Sequence, residues 1–336
     1  MTKTIRVGVV GAGLIGAKRA EGILKTKKGT LVAVADTDMA RAEALAKKYG
    51  AEALSDWKKL VAREDVDAVI VAVPNAFAAE IVLEALKHGK HVLCEKPFGI
   101  SVKESAVMLA AAQKARKIVK VGFNHRFHAA VLKAREIFDA NGIGKVLFIR
   151  SRYGHGGRKG MEKEWRFNKK VSGGGELLDQ GVHIIDLARW FGGEFNEVYG
   201  SAETKFWNTD LDDNAFMVLK NGNVTATMHV STTQWKNLFS FEIFGDLGFL
   251  AIEGRGGSYG EETLTYGKRK PEFGVPDIEV LKFPGADGSW EREWEHFAGA
   301  IEGNTGVSGS AADGLAANKL VEAVYQSSRT KKVVRL

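Results

Sequence analysis

The stretch Val7-Gly8-Val9-Val10-Gly11-Ala12-Gly13-Leu14-Ile15-Gly16 decides the fold. An apolar run leads directly into three glycines, and a helix-like pattern follows. Each glycine answers a separate demand of a dinucleotide seat. The strand must turn sharply at Gly11, the backbone must approach a pyrophosphate at Gly13, and the helix must pack tightly on the strand at Gly16. The N–H groups that open the helix, around Leu14 and Ile15, suit the phosphates, as does the positive end of its dipole. A second run, Leu31-Val32-Ala33-Val34-Ala35, ends on Asp36, 20 residues beyond Gly16, where a ribose-binding acid is expected. A carboxylate there accepts bonds from both ribose hydroxyls and repels a 2′-phosphate, so NAD is the expected cofactor. Arg41, in the next helix, leaves NADP open. The competing reading is a tight strand–helix turn with Asp36 facing solvent.

A chain of 336 residues suggests two domains. Its 45% hydrophobic and 26% charged residues are those of an ordinary globular protein. No run approaches the ~18 consecutive apolar residues of a membrane span. Residues 1–6 lead into the first strand and leave no room for a signal peptide, so the expected location is the cytoplasm. The single cysteine, Cys94, ends an apolar strand and reads as a small buried hydrophobe. The net charge of +7 is spread over helices where bases mix with acids. No focused basic stripe with aromatic platforms points to nucleic acid; an anionic cofactor or substrate uses the excess more simply.

Strands are expected at about 4–10, 31–36, 67–73, 90–94 and 118–123, with helices at about 14–27, 38–49, 76–88 and 102–116. Unbroken apolar strands such as Ala68-Val69-Ile70-Val71-Ala72-Val73 belong to a parallel sheet covered on both faces. The expected fold is therefore α/β, a doubly wound parallel sheet over residues 1–124. Its crevice lies at the carboxyl ends of the strands, which marks Asp36, Val73-Pro74-Asn75, Glu95-Lys96-Pro97 and Asn124. Residues 125–336 read as an α+β domain with an open, mostly antiparallel sheet. It has helices near 127–140 and 176–191, and strands near 145–153 and through 196–283. Lys220-Asn221-Gly222-Asn223 and Gly245-Asp246-Leu247-Gly248 are hairpin turns. Trp207, Trp235 and several Phe fall among these strands, so the uncovered face of the sheet is a candidate subunit interface. Helices near 289–302 and 310–328 close the chain, the latter a candidate to pack back on the first domain.

Lys96 is the first candidate for chemistry. Its ammonium can hydrogen-bond a substrate hydroxyl and stabilise the developing alkoxide, while Glu95 positions or neutralises it. A surface ion pair at a strand end is the plainer alternative. The second candidate is the cluster Gly173-Gly174-Gly175-Glu176-Leu177-Leu178-Asp179-Gln180-Gly181-Val182-His183-Ile184-Ile185-Asp186. Asp179 and His183 are four apart and share a helix face, with Asp186 three further on. His183 is a natural general base, and Asp179 can orient it or bind a hydroxyl. The triple glycine lets a loop pass close to the cofactor. A satisfied core histidine, or a metal held by Asp179, His183 and Asp186, competes with that reading; no metal is expected.

These segments, with Gly89 to Pro97 and Gly122-Phe123-Asn124-His125-Arg126-Phe127, resemble the glucose–fructose oxidoreductase / inositol dehydrogenase / rhizopine-catabolism (Gfo/Idh/MocA) family over nearly the whole chain. The resemblance implies a Rossmann domain followed by the open sheet, and NAD(P)-dependent redox chemistry at a carbon bearing oxygen, usually on a sugar or cyclitol. It implies Lys96, Asp179 and His183 as the catalytic set, with His183 as acid/base. It also implies a homodimer or homotetramer built through the second sheet. One departure is Ala78, where many relatives carry a His after Val73-Pro74-Asn75; it is read as a change of pocket shape near the cofactor.

The segment Arg150-Ser151-Arg152-Tyr153-Gly154-His155-Gly156-Gly157-Arg158 is rich in donors, and Glu164-Trp165-Arg166 follows. Arg152, Tyr153, His155 and Arg158 are expected to bind substrate beside Lys96, Asp179 and His183; Trp165 and Arg166 are expected on the cofactor. Arginines suit anionic groups and aromatic faces suit sugar rings. A polyhydroxylated substrate follows, such as a sugar, sugar acid, cyclitol or nucleotide sugar. Two other functions compete. One is a glycoside hydrolase that retains NAD and oxidises transiently; the other is an NAD-binding sensor without catalysis.

Overall fold

The structure is a computed structural model that describes residues 4–336. The expected run of residues 1–3 into the first strand lies outside the described residues. The chain divides into two compact units. Of the described residues, unit 1 comprises 4–124 and 288–316, and unit 2 comprises 125–287 and 317–336.

In unit 1 the elements alternate: β1 (Ile5–Val10), α1 (Leu14–Thr26), β2 (Gly29–Ala35), α2 (Met39–Tyr49), β3 (Glu52–Leu54), α3 (Trp57–Val61), β4 (Ala68–Val71), α4 (Asn75–Lys87), β5 (His91–Cys94), α5 (Val102–Ala115) and β6 (Val119–Val121). The six strands pair in parallel in the order β3-β2-β1-β4-β5-β6. The order reverses beside β1, which places a crevice beyond the carboxyl ends of β1 and β4. Val7, Val9, Val34, Ile70 and Leu93 are fully buried in the sheet core. Both sheet faces are covered, which explains the unbroken apolar runs. Cys94 is a free, buried thiol.

Unit 2 opens with α6 (Ala129–Asp139) and β7 (Val146–Gly154). The short helix α7 (Lys169–Ser172) precedes a π-turn at Leu177–Gly181 that runs into α8 (Val182–Gly192). The strands β8 (Glu197–Glu203), β9 (Asn214–Lys220), β10 (Thr225–Ser231), β11 (Leu238–Gly245), β12 (Gly248–Glu253), β13 (Glu262–Lys268) and β14 (Asp277–Phe283) follow. The sheet order is β14-β13-β12-β11-β7-β10-β9-β8-β15, with β15 at Val334–Arg335. Neighbouring strands of this sheet are antiparallel except β7 with β10. Both hairpin turns fall where the glycines and asparagines put them.

The helix α9 (Ser289–Ile301) belongs to unit 1: Trp294, Phe297 and Ala298 join the core formed by Ile5, Ala20, Ile23 and Leu31. The last helix, α10 (Ala311–Thr330), has its first residues in unit 1 and the rest in unit 2. Trp207 and Trp235 lie in the connections after β8 and β10, not in strands. The outer face of the second sheet carries Phe148, Arg150, Tyr199 and Phe216 instead, around a shallow concavity of ≈ 610 Å³.

Candidate active site

The three glycines of unit 1 do different work. Gly11 has φ +98°, and a Cβ there would stand 2.3 Å from the Ala72 carbonyl oxygen. A Cβ on Gly16 would stand 1.8 Å from the Gly11 carbonyl oxygen. Both are glycines because the protein itself leaves no room. Gly13 caps α1 with φ −71°, which any residue can adopt, and a Cβ on it would meet nothing within 4 Å. Packing does not require that glycine; open space at the N-terminus of a helix is what an approaching pyrophosphate needs. Asp36 closes the seat. Its Oδ2 accepts from Ala12 N at 2.7 Å and its Oδ1 from Asp38 N at 2.9 Å, which fixes the carboxylate beside the glycine turn. Arg41 is turned to Asp38, Nε to Oδ2 at 3.1 Å. Leu14, exposed at the start of α1, flanks the same opening. These residues fit a dinucleotide.

Pro74 caps α4, and Asn75 and Ala78 are buried on that helix. Asn124 donates from Nδ2 to Ser289 Oγ at 3.0 Å. The strand β5 ends at Cys94, and Glu95 and Lys96 follow directly, before a cis Lys96–Pro97 bond. Glu95 does not neutralise its neighbour as its chief task. Its Oε1 is gripped by Arg19 of α1 through Nε and Nη2, both at 2.6 Å. Arg19 also holds Glu293 of α9, and Glu293 Oε1 stands 3.1 Å from Lys120 Nζ. Lys120 donates in turn to Ser308 O at 2.6 Å. Two acids and two bases thus alternate through the interior of unit 1. Burial pushes the Glu95 carboxyl up, against the pull of Arg19. Burial acts on Glu293 in the same sense, but Arg19 and Lys120 together outweigh it and hold that carboxyl below the usual range. This chain was invisible in sequence, because its members are scattered over nearly the whole length.

In unit 2 the imidazole of His183 is buried and stacks on His125, with ring centroids 3.7 Å apart and planes inclined by 22°. His125 meets Tyr153 and Phe239 edge-on or tilted, at 5.3 and 5.7 Å. Arg255 donates to the Tyr153 hydroxyl and lies over the ring of Tyr259 at 4.8 Å. Burial pushes the Tyr153 hydroxyl well above its ordinary range. Asp179, on the π-turn, is half-buried, and Arg166 Nε stands 3.4 Å from its Oδ2 while lying over the Trp165 ring at 4.6 Å. His155 Nδ1 accepts from Gly157 N at 3.0 Å, and its Nε2 lies 3.9 Å from Glu176 Oε1. Burial lowers the His155 pKa, against the pull of Asp179.

Several expected members of the site stand elsewhere. Asp186 is held by Arg126, whose Nε and Nη2 reach its two oxygens at 2.7 and 2.6 Å. Arg152 and Tyr153 are consecutive on β7 and point to opposite faces of the sheet. Tyr153 joins His125, whereas Arg152 lines the concavity on the outer face, opposite His229. Arg158 is exposed and paired to Glu164 at 2.6 Å. The triple glycine serves packing. Gly173, with φ +84°, caps α7. A Cβ on Gly174 would stand 2.6 Å from Tyr325 Oη, and one on Gly175 would stand 2.2 Å from the Asp212 carbonyl oxygen. Asp212 ties this turn down, accepting from Gly175 N, Leu177 N and the Tyr325 hydroxyl at 3.1, 2.7 and 2.7 Å. Sequence reasoning missed Asp212, Arg255 and the stacking of His125 on His183, although His125 lay inside a quoted motif.

A doubly wound parallel sheet with an open glycine turn in one unit, and an open mixed sheet in the other, is the architecture of a dinucleotide-binding protein. The comparisons agree. Residues 5–123 match the oxidoreductase family with an NAD-binding Rossmann fold, and residues 131–251 match the GFO/IDH/MocA C-terminal domain. The chain belongs to the Gfo/Idh/MocA family and is an NAD-binding oxidoreductase. An uncharacterized oxidoreductase, YrbE, of Bacillus subtilis (strain 168) is 29% identical over 97% of this chain and 95% of its own. Inositol 2-dehydrogenase of Rubrobacter xylanophilus is 35% identical over 59% of this chain, a match that spans 55% of that enzyme. A crystal structure of an oxidoreductase domain protein from Kribbella flavida has TM-score 0.90 at 26% identity, covering 99% of both chains. Among the described residues, no helix is long and apolar enough to cross a membrane.

Proposed function

We propose that this protein is a dehydrogenase that moves a hydride between NAD and a carbinol carbon of a sugar, sugar acid, cyclitol or nucleotide sugar. NAD, when bound, takes up or returns that hydride. The buried imidazole of His183, carried one turn after Asp179, is the observation that carries this reading: a histidine transfers protons near neutral pH, and burial keeps water from competing for it. His183 takes the proton of the hydroxyl during oxidation and returns it during reduction. His125 holds the ring by stacking. Asp179, with Arg166 on its other side, accepts a hydrogen bond from a neighbouring hydroxyl and sets the orientation of the substrate. Lys96 donates to the reacting oxygen and stabilises its negative charge. Its strand end is anchored by Arg19 through Glu95.

Gly11, Gly13 and Gly16 with Asp36 hold the dinucleotide, and the Asp36 carboxylate favours NAD over NADP. A named inositol dehydrogenase among the relatives supports a polyhydroxylated substrate. Phe148, Tyr199 and Phe216, exposed on the outer face of the second sheet, support a homo-oligomer through that face. The test is a panel of sugars, sugar acids, cyclitols and nucleotide sugars, with NAD and NADP offered separately and NADH read by absorbance. Net NADH from at least one polyol, with NAD preferred, is expected. Sugar product without net NADH points to transient oxidation by a hydrolase, and NADH binding with no turnover of any polyol points to a sensor.

A further inference from the structure

Phe206 and Trp235 are 60% and 64% exposed, in connections of unit 2 that follow β8 and β10. Their rings meet edge-to-face at 4.8 Å, and Trp207 extends the group, 5.3 Å from Phe206. Trp235 sits at φ +54°, in the left-handed region that bulky residues avoid. Folding gains little from an indole that is both strained and mostly in water. The group is nonetheless built firmly. Trp207 Nε1 donates to Thr232 O at 3.1 Å, a Cβ on Gly157 would stand 2.4 Å from the Trp207 ring, and one on Gly156 would stand 3.2 Å from Trp235 Cα. Gly156 and Gly157 directly follow His155, whose Nε2 lies 3.9 Å from Glu176 Oε1. Glu162 and Lys163, beside the aromatic group, lie just before Arg166 in the chain, and Arg166 Nε stands 3.4 Å from Asp179 Oδ2. A cavity of ≈ 490 Å³ lies against it, lined by Lys159, Glu162, Lys163, Phe206, Trp207 and Asn208 among others.

We propose that this cavity is an outer subsite for a second sugar ring, joined through a glycosidic bond to the ring that is oxidised. Apolar C–H faces of the outer ring lie on Phe206 and Trp207, with Trp235 bracing Phe206 edge-on, and its hydroxyls are met by Lys159, Lys163, Glu162 and Asn208. The inference rests on the dehydrogenase reading for its inner ring. The test is calorimetry on the full chain with saturating NADH, using maltose, cellobiose and methyl glucoside as probes. At least one disaccharide is expected to bind about tenfold more tightly than methyl glucoside. In the Phe206→Ala/Trp235→Ala variant that preference falls to about onefold, while methyl glucoside binds within about twofold of the parent. Melting temperature and mass by light scattering are expected to be unchanged. A preference that survives the variant, a parent that binds no disaccharide, or a variant that changes its oligomeric mass would overturn the subsite. Failure of the dehydrogenase reading shows separately, as no NADH formed from any polyol.

Discussion

Replacing Gly13 by Ala separates ligand binding from folding within one motif. The added methyl meets no protein atom within 4 Å, and φ −71° suits alanine. Two small effects on stability oppose each other. Loss of chain freedom in the unfolded state stabilises by about 0.4–1 kcal/mol, and alanine is a poorer N-cap than glycine by several tenths of a kcal/mol or more. The net change is expected to lie within about 1 kcal/mol, a shift of about 2–4 °C at most. The same methyl occupies the space where a pyrophosphate must approach, so NADH affinity should fall by about tenfold or more, equivalent to about 1.4 kcal/mol. Gly16→Ala makes the opposite separation. Its Cβ would lie 1.8 Å from the Gly11 carbonyl oxygen, so backbone must move, at about 1–3 kcal/mol or more. Thermal melting and NADH fluorescence titration of both variants decide the matter. A Gly13→Ala protein that binds NADH like the parent, or that melts as early as Gly16→Ala, would refute the reasoning.

Three further outcomes follow from the structure. Glu293→Gln leaves Arg19 and Lys120 buried with Glu95 as the remaining acid, and urea unfolding should show a loss of about 3–5 kcal/mol. Burial and Lys117 push the His91 imidazole down to about 4, so it stays neutral in the fold while the unfolded chain takes up a proton below about 6.5. Its contribution is complete at neutral pH and lost as pH falls from about 6.5 toward 4; His91→Gln should flatten the urea midpoint across that window. Asp212→Ala removes two hydrogen bonds from the backbone that leads into the turn carrying Asp179, and a third from the Tyr325 hydroxyl, so it should lower both the melting temperature and turnover, with NADH affinity kept.

Much of unit 1 was legible because buried parallel strands write themselves as apolar runs, and because the glycine spacing has few other uses. The strand β3 and helix α3 escaped because they are short and partly exposed, with no period to read. The residues of α9 look like any amphipathic helix; only Trp294 and Phe297 in three dimensions assign it to the first unit. Arg152 and Tyr153 were grouped by proximity in sequence, although strand alternation alone would have parted them. The Arg126–Asp186 pair and the Asp212 anchor link residues 60 and 35–37 positions apart, and nothing local announces such bonds. The π-turn at Leu177–Gly181 is likewise hidden, because its apolar spacing also suits a regular helix.

Turnover by Lys96→Ala and His183→Ala, measured beside their NADH affinities on a polyol that the parent oxidises, bears most directly on the chemistry. Each variant should lose about a hundredfold or more in kcat while its Kd for NADH stays within about threefold. Parental turnover in either variant would contradict the assignment of proton transfer to His183 or of charge stabilisation to Lys96.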